Sequence, residues 1–389
     1  MKKIIKYFHL DKLGFFEVFI ALYPILMGYG YGDFQLSFGT LIIVDVLLIY
    51  KRKGSYLYFK PIVLLLLFVV VHELLWLFVM SNVPSYFINS LIAYVIFLIS
   101  ILIIAPALDY KKIEGSINLI AIICIIGMVY HILLVQVGHS VSPIKLPFLP
   151  NMSNQSRLYS IIERPTSFFW EPQSYASFML VPLFFALRSN KIIWAFVIAL
   201  TVFLSTSTTG IVLVVVMFTI HLFTQKGRLI NKTIIVLLLI FLLFILARSY
   251  VASSSLYKIE NTNLKETNRI INGFLIVKHM QIKDWVLGVP FPNIQDCYDA
   301  GYVNAPLIIH SDGVVFVSAF WIALIRFGFL GLLLFLNVYL KILVLDRTLI
   351  PYIACVFIAL FSNPDFVGGS FSFQMIIMLS LIYKKREYM

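Results

Sequence analysis

PIVLLLLFVVVHELLWLFVM, residues 61–80, is the stretch that decides the fold. It is apolar throughout except for His72 and Glu73, and about 20 apolar residues in an α-helix suffice to cross the hydrocarbon core of a bilayer. Residues 87–108 and 117–137 are runs of the same kind. Because these runs are continuous rather than alternating with a period of two, they predict membrane-spanning helices and not the strands of a membrane barrel.

The composition indicates a membrane protein. The chain of 389 residues is 61% hydrophobic and 12% charged, with a mean hydropathy of +0.97, whereas soluble domains carry about 25% charged residues. This excludes a water-soluble fold. The net charge of +12 does not indicate nucleic-acid binding, because no basic segment is large enough to fold as a module.

We predict an all-α, polytopic bundle of about twelve transmembrane helices, forming a single membrane domain over residues 1–389. The predicted spans lie near residues 14–32, 35–50, 61–80, 87–108, 117–137, 173–187, 192–206, 210–223, 233–247, 328–345, 349–362 and 370–383. Lys and Arg are concentrated in every second connection and at both termini. By the positive-inside rule, both termini are therefore expected in the cytoplasm.

Two long polar loops interrupt the apolar runs, at residues 138–172 and 248–309. The same charge distribution places both on the extracytoplasmic side. Residues 311–326 are apolar enough to span, but a further span there would put the basic C-terminal residues 384–386 outside. We therefore predict that this segment is a helix capping the outer face, with Gly328 starting the next span.

The cysteines predict neither a disulfide nor a metal site. Cys124 and Cys355 fall within apolar runs, and Cys297 falls within the second loop, so no two share an aqueous compartment. The spacing of Cys, His and acidic residues does not match a metal-ligand pattern, and we expect no cofactor.

The end of the first loop, Arg164 to Pro172, is a candidate site. Pro172 suits the first turn of the following helix, with Glu171 beside its positive end. Glu171 is a candidate substrate ligand, or serves that helix dipole alone. Arg164 offers a planar fork of donors suited to phosphate oxygens, or pairs with a neighbouring glutamate.

The second loop supplies further candidates. Arg269 is a second candidate anion ligand, with a solvated loop charge as the alternative. His310 stands where this loop meets the next apolar segment and can take a proton from an attacking hydroxyl, or be a packed histidine. Asp312 is a candidate for orienting it or for binding substrate, although Ser311 or Asp312 can equally be a helix N-cap.

The hydroxyl-rich turn Ser207-Thr208-Thr209-Gly210 links two predicted spans on the outer side. Hydroxyl groups at membrane ends often bond back to helix carbonyls. The same groups can instead hold a sugar or phosphate, so Ser207, Thr208 and Thr209 are candidate substrate-binding residues.

Together these segments resemble the bacterial polysaccharide polymerase and O-antigen ligase superfamily, whose polymerase branch is called Wzy. The resemblance covers about residues 150–345 in order. It rests on Arg164 through Glu171-Pro172, on the Ser207–Gly210 turn, on Arg269 preceding Gly288, and on His310 followed by Arg326-Phe327-Gly328-Phe329-Leu330-Gly331. Two departures stand out: many members have Arg where this chain has Thr208, and ligases commonly have Asn where it has Ser311.

The resemblance implies a metal-independent glycosyltransferase in the bacterial cytoplasmic (inner) membrane. It would polymerise undecaprenyl-diphosphate-linked oligosaccharide repeat units into a capsule, an O-antigen or a similar surface polysaccharide. Arg164 and Arg269 would stabilise the leaving diphosphate and His310 would act as base. Membrane lipids, a flippase and a chain-length regulator are the expected partners, and nucleic acid is not.

Two alternatives remain open. An O-antigen-type ligase would transfer finished glycan to another acceptor. A transporter or lipid-linked glycan flippase is suggested by Glu17, Asp45 and the His72-Glu73 pair, because ionisable groups inside spans often mark ion pathways. Pairing between helices is the simpler interpretation of these residues.

Overall fold

A computed structural model describes most of the chain, and the part it describes is almost entirely helical. The described residues are 7–31, 34–52, 59–79, 85–150, 165–224, 233, 236, 268–289, 294–299, 301, 303–307, 315, 317–362 and 367–387. The chain packs into two compact units, each built from separate chain segments. Unit 1 comprises Met1–Val44, Leu108–Lys258 and Thr348–Cys355, and unit 2 comprises Asp45–Ala107, Ile259–Arg347 and Val356–Met389.

Unit 1 is built around one long helix and three shorter helices that follow it in the sequence. The helices that lie within it are α1 (Phe15–Leu26), α5 (Tyr110–Gln136), α6 (Pro172–Arg188), α7 (Ile192–Leu204) and α8 (Thr208–Thr224). α6 packs against α5, α7 and α8, and α1 packs against α5. A two-stranded antiparallel hairpin, β1 (Gly30–Tyr31) and β2 (Phe34–Gln35), follows α1 and pairs Gly30 with Gln35.

Unit 2 is centred on two long helices that pack against each other. The helices that lie within it are α3 (Lys60–Val79), α4 (Ser85–Ile104), α9 (Asn268–His279), α10 (Ile282–Leu287), α11 (Ile294–Asp299), α12 (Ala319–Leu345) and α14 (Gly369–Glu387). α12 packs against α3, α9, α10 and α14, and α3 also packs against α4. The boundary between the units falls inside α2 (Leu36–Arg52) and α13 (Ile350–Leu360).

Four helices of the described chain are long and apolar enough to cross a membrane: Lys60–Val79, Phe87–Ala107, Tyr110–Gln136 and Ala319–Leu345. Shorter apolar helices are found at Phe15–Leu26, Ile192–Leu204, Thr208–Thr224, Arg347–Leu360 and Gly369–Tyr383. The helical fold is therefore confirmed, and it is compatible with a membrane protein. The count of twelve spans stays a prediction, and the span predicted at 233–247 lies almost wholly outside the described residues.

The segment after the second loop differs in its bounds from the predicted capping helix at 311–326. Residues 315, 317 and 318 are not helical, and the helix begins at Ala319 with Ser318 as its N-cap. This helix, α12, consists of two helical segments, residues 319–327 and 329–345, because the backbone at Gly328 is not helical. Gly328 does mark the point of change, as expected.

Polar contacts fix the N-terminal residues of unit 1 to the turn between α6 and α7. Lys191 Nζ lies 3.1 Å from Glu114 Oε1, and His9 Nε2 lies 3.9 Å from the same carboxylate. Asn118 accepts a hydrogen bond from Trp194 Nε1 (3.1 Å). His9 and residues 188–191 thus lie at the same end of unit 1, and the charge distribution predicts that both are cytoplasmic.

Replacing Asp109 by alanine is expected to lower the free energy of unfolding by about 1 kcal/mol. The Asp109 carboxylate caps α5 by accepting hydrogen bonds from the backbone N–H groups of Lys111 and Lys112. Thermal unfolding in detergent measures the change, and Asp109→Asn, which keeps an acceptor at this position, is the matched control. Equal stability of the alanine and asparagine variants would contradict the assigned cap.

Candidate functional site

The predicted start of α6 at Pro172 is confirmed. Glu171 is the N-cap residue in an extended conformation, and its side chain makes no capping hydrogen bond to the backbone. Its carboxylate instead accepts a hydrogen bond from Ser174 Oγ (3.4 Å). Glu171 therefore stands at the positive end of α6 and remains half-exposed, as a substrate ligand requires.

The hydroxyl-rich turn begins α8, and its residues have different environments. Ser207 is buried, and its Oγ accepts a hydrogen bond from Gly210 N–H (3.1 Å), which is the geometry of a helix N-cap. Thr208 is exposed and Thr209 half-exposed. Ser207 thus has a structural role as a helix cap, and not through a bond to a helix carbonyl. Substrate contacts of Ser207, Thr208 and Thr209 stay predictions.

The first turn of α8 lies against the second turn of α6. A side chain on Gly210 would meet the Cβ atom of Ala176. Because α7 runs back between α6 and α8, the N-terminal ends of α6 and α8 lie at the same end of unit 1. Glu171 and the Ser207–Gly210 turn, which the sequence predicts on the outer face, are therefore at one end of the helix bundle.

The part of the first loop that follows Arg164 in the sequence is anchored inside the bundle. The backbone N–H groups of Thr166 and Ser167 both donate to Nδ1 of His131 in α5, at 3.3 and 3.2 Å, and Ser167 Oγ donates to the carbonyl of Cys124 (2.8 Å). Thr166, Ser167 and His131 are buried. Because Nδ1 accepts these bonds, a neutral ring carries its proton on Nε2.

The other predicted site residues are described in part or not at all. Arg164, His310 and Asp312 lie outside the described residues. Arg269 is the second residue of α9, and its side chain lies outside the described part. The structure therefore brings Glu171 and the Ser207–Gly210 turn to one end of unit 1, and the roles of Arg164, Arg269, His310 and Asp312 stay predictions.

Unit 2 contains a buried ion pair between α3 and α12. Arg326 is 1% exposed, and its Nε and Nη2 atoms lie 3.2 and 3.1 Å from Oε1 of Glu73, which is equally buried. Arg326 Nη1 donates to Ser90 Oγ (3.2 Å) and Tyr94 Oη (2.5 Å) of α4. The guanidinium also lies 4.5 Å from the Tyr94 ring centroid. One side chain thus joins three helices.

Two glycines next to this ion pair bring α10 and α12 into backbone contact. Gly288 (φ 75°, ψ −168°) and Gly328 (φ 64°, ψ −171°) both adopt a conformation essentially restricted to glycine. A Cβ atom on Gly288 would overlap the carbonyl of Arg326, and one on Gly328 would overlap the carbonyl of Val286. Gly288 was expected to permit a turn, and it also permits this approach.

The backbone around Gly288 is hydrogen-bonded to both long helices. Val289 N–H donates to the carbonyl of Ile325 in α12 (2.9 Å). His72 Nε2 in α3 lies 2.5 Å from the carbonyl of Leu287. Because a carbonyl oxygen only accepts hydrogen bonds, His72 Nε2 carries a proton. Trp76 Nε1 lies 3.2 Å from His72 Nε2 and is also a donor, so these two nitrogens do not form a hydrogen bond with each other.

Sequence reasoning did not find the pairing of Glu73 with Arg326. A signal was present, because each is a lone charge in an apolar run, and opposite charges at membrane depth tend to pair. The anchoring role of His131 had no comparable signal, because its partners are backbone N–H groups of a distant loop. Every residue except proline carries a backbone N–H group, so the sequence does not indicate which of these groups bind His131.

No protein-family model, curated protein or solved structure matches this chain.

Alanine at Gly288 or Gly328 is expected to cost at least about 1–3 kcal/mol of stability from backbone strain, with steric overlap adding to that cost. The reason is that each Cβ would meet a backbone carbonyl of the other segment. Gly138→Ala is the matched control, because Gly138 also has a positive φ (82°) but no atom within 4 Å of the added Cβ. Thermal unfolding in detergent compares the three variants, and equal losses would contradict the close approach.

Single replacement of Glu73 or Arg326 by methionine is expected to cost about 3–5 kcal/mol, because it leaves the other charge buried without its partner. The double variant Glu73→Met/Arg326→Met removes both charges and is expected to be more stable than either single variant. Unfolding of all three in detergent gives the coupling energy. Additive losses in the double variant would show that the pair contributes no coupling.

Proposed function

We propose that this chain is a membrane glycosyltransferase that polymerises undecaprenyl-diphosphate-linked oligosaccharides into a surface polysaccharide. It would act at the outer face of a bacterial cytoplasmic membrane, with both termini in the cytoplasm. The observation that carries the proposal is the contact between Gly288 and the kink at Gly328. The resemblance to the polymerase superfamily includes a segment that ends at Gly288 and another that contains Gly328. These two segments are far apart in the sequence and pack directly against each other.

The proposed reaction transfers the growing chain to an incoming repeat unit. A hydroxyl group of the lipid-linked acceptor attacks the anomeric carbon of the chain, and the bond from that carbon to the diphosphate oxygen breaks. His310 takes the proton of the attacking hydroxyl. Undecaprenyl diphosphate leaves with the bonding electrons, and Arg164 and Arg269 stabilise its charge.

The remaining candidate residues have supporting roles in this proposal. Glu171 and Asp312 would accept hydrogen bonds from sugar hydroxyls, and Thr208 and Thr209 would contact sugar or phosphate. Ser207 would act indirectly, because it caps the helix that presents these threonines. A flippase that supplies lipid-linked units and a chain-length regulator are the proposed protein partners.

The observation that favoured a transporter has a structural explanation. Glu73 pairs with Arg326, Asp45 accepts a hydrogen bond from Ser100 Oγ (2.5 Å), and Glu17 accepts one from Asp109 N–H (3.0 Å). The simpler interpretation, pairing between helices, therefore accounts for these groups. It follows that loss of function in Glu73→Gln alone does not indicate transport, because Arg326 is then left without its carboxylate.

Reconstitution with purified lipid-linked repeat units tests the proposal. Arg164→Ala, Arg269→Ala and His310→Ala are each expected to lower the rate of chain growth by about 100-fold or more, because each removes a group that acts in the transition state. Lys278→Ala is the matched control, since Lys278 is an exposed cation on the same helix as Arg269. Product length on a gel reports the outcome.

Wild-type chain lengths in the three alanine variants would overturn the proposed site. The Glu73→Met/Arg326→Met variant separates the proposal from a flippase. A polymerase is expected to retain chain growth with both charges removed, whereas a transporter that uses Glu73 as an ion site would lose function.

A further inference from the structure

The short helix α10 presents an apolar face that the described protein does not cover. Ile282, Trp285 and Val286 share one face, because residues three and four apart are neighbours on a helix. Their side chains are 86%, 37% and 59% exposed. Lys283, also exposed, lies at the edge of this face, three residues before Val286.

The position of α10 along α3 indicates its depth in the membrane. α3 has twenty residues and so is about 30 Å long, which matches the hydrocarbon core. His72, which donates to Leu287, lies seven residues before the end of α3 at Val79. This places the end of α10 about 10 Å inside the core, measured from the Val79 end.

α12 provides an independent measurement. Gly328, which contacts α10, lies seventeen residues before the end of α12 at Leu345. That distance is about 25 Å, so Gly328 lies about 5 Å from the opposite surface of a core about 30 Å thick. Both helices therefore place the end of α10 below the membrane surface, on the side that the charge distribution predicts to be the outer one.

The backbone after α10 meets the requirement for a chain at this depth. Within a bilayer, non-helical backbone is tolerated only where its polar groups are satisfied by the protein. Gly288 N–H donates to the carbonyl of Asp284 (2.8 Å), Val289 N–H donates to Ile325, and the carbonyl of Leu287 accepts from His72. These backbone groups therefore have partners within the protein.

We propose that α10 is a re-entrant helix embedded in the outer leaflet, and that lipid acyl chains cover its Ile282–Trp285–Val286 face. Trp285 suits the membrane interface, where tryptophan is enriched. The long stem of Lys283 allows its ammonium group to reach the headgroups. An apolar helix face that enters about 5–10 Å is typical of interfacial helices.

This inference does not depend on the proposed function. It changes the expectation for the second loop, which the sequence alone predicts to be wholly extracytoplasmic. Under the proposed function, it also places α10 just beneath the level of the headgroup of a lipid-linked substrate.

Spin labels at single introduced cysteines test the proposal in the full-length protein. Ile282→Cys and Val286→Cys probe the apolar face. Ser140→Cys, exposed in the first loop, is the water-facing control, and Leu75→Cys, 59% exposed on α3, is the lipid-facing control. The protein is reconstituted in phosphatidylethanolamine–phosphatidylglycerol vesicles. Cys124, Cys297 and Cys355 are buried, and unmodified protein treated with the same label gives the background.

The measurement is the rate at which each spin label collides with two reagents, oxygen and a nickel complex. Oxygen concentrates in hydrocarbon, and the nickel complex is soluble in water. The ratio of oxygen to nickel collisions at positions 282 and 286 is expected to match that at position 75 and to exceed that at position 140 several-fold. A ratio equal to that at position 140 would show an aqueous loop and overturn the proposal. Low collision with both reagents would show that protein, not lipid, covers the face, and would also overturn it.

Discussion

The arrangement of unit 2 depends on how the backbone of residues 287–289 is satisfied. In a bilayer, an unpaired N–H or carbonyl group costs several kcal/mol, so a chain that leaves a helix there must find partners in the protein. His72 and Ile325 supply those partners. The two glycines allow the backbones to meet, and the ion pair between Glu73 and Arg326 holds α3 and α12 together beside them.

The sequence predicts much of the fold, because the bilayer imposes a simple rule. Runs of about 20 apolar residues become helices. Those at Pro61 and Phe87 do so within four residues of the expected bounds, whereas the helix predicted from Ile117 begins seven residues earlier, at Tyr110. Pro172 was recognised as a helix start because proline favours the first turn. The hairpin after α1 was missed, because its four residues fall within and between two predicted spans.

The contacts within the candidate site were harder to predict. Glu73 stands out in the sequence as an ionisable group within a span, but the sequence does not show that it pairs with the distant Arg326. The bonds from Thr166 and Ser167 to His131 involve backbone groups, which every residue except proline carries, so the sequence does not indicate them. Charge parity alone predicts the helix at 311–326 as a cap, and that rule does not show that the described helix begins only at Ala319. Hydrophobicity thus indicates which segments enter the membrane, whereas polar contacts decide how they are joined.

A membrane location suits the chemistry proposed for this chain. Donor and acceptor would both be held by prenyl lipids, so they would approach within the plane of the bilayer rather than from bulk water. In unit 1, Glu171 and the Ser207–Gly210 turn lie together at one end of the helix bundle. In unit 2, the segment that follows Arg269 docks on α12.

Photo-crosslinking with an undecaprenyl diphosphate analogue that carries a photoreactive group near the diphosphate would test the central claim most directly. After irradiation of the reconstituted protein, mass spectrometry identifies the labelled peptides. The account predicts label in the peptides that cover residues 268–289, and its loss when unlabelled undecaprenyl diphosphate competes. Label confined to the predicted cytoplasmic connections, or label that the competitor does not displace, would contradict it.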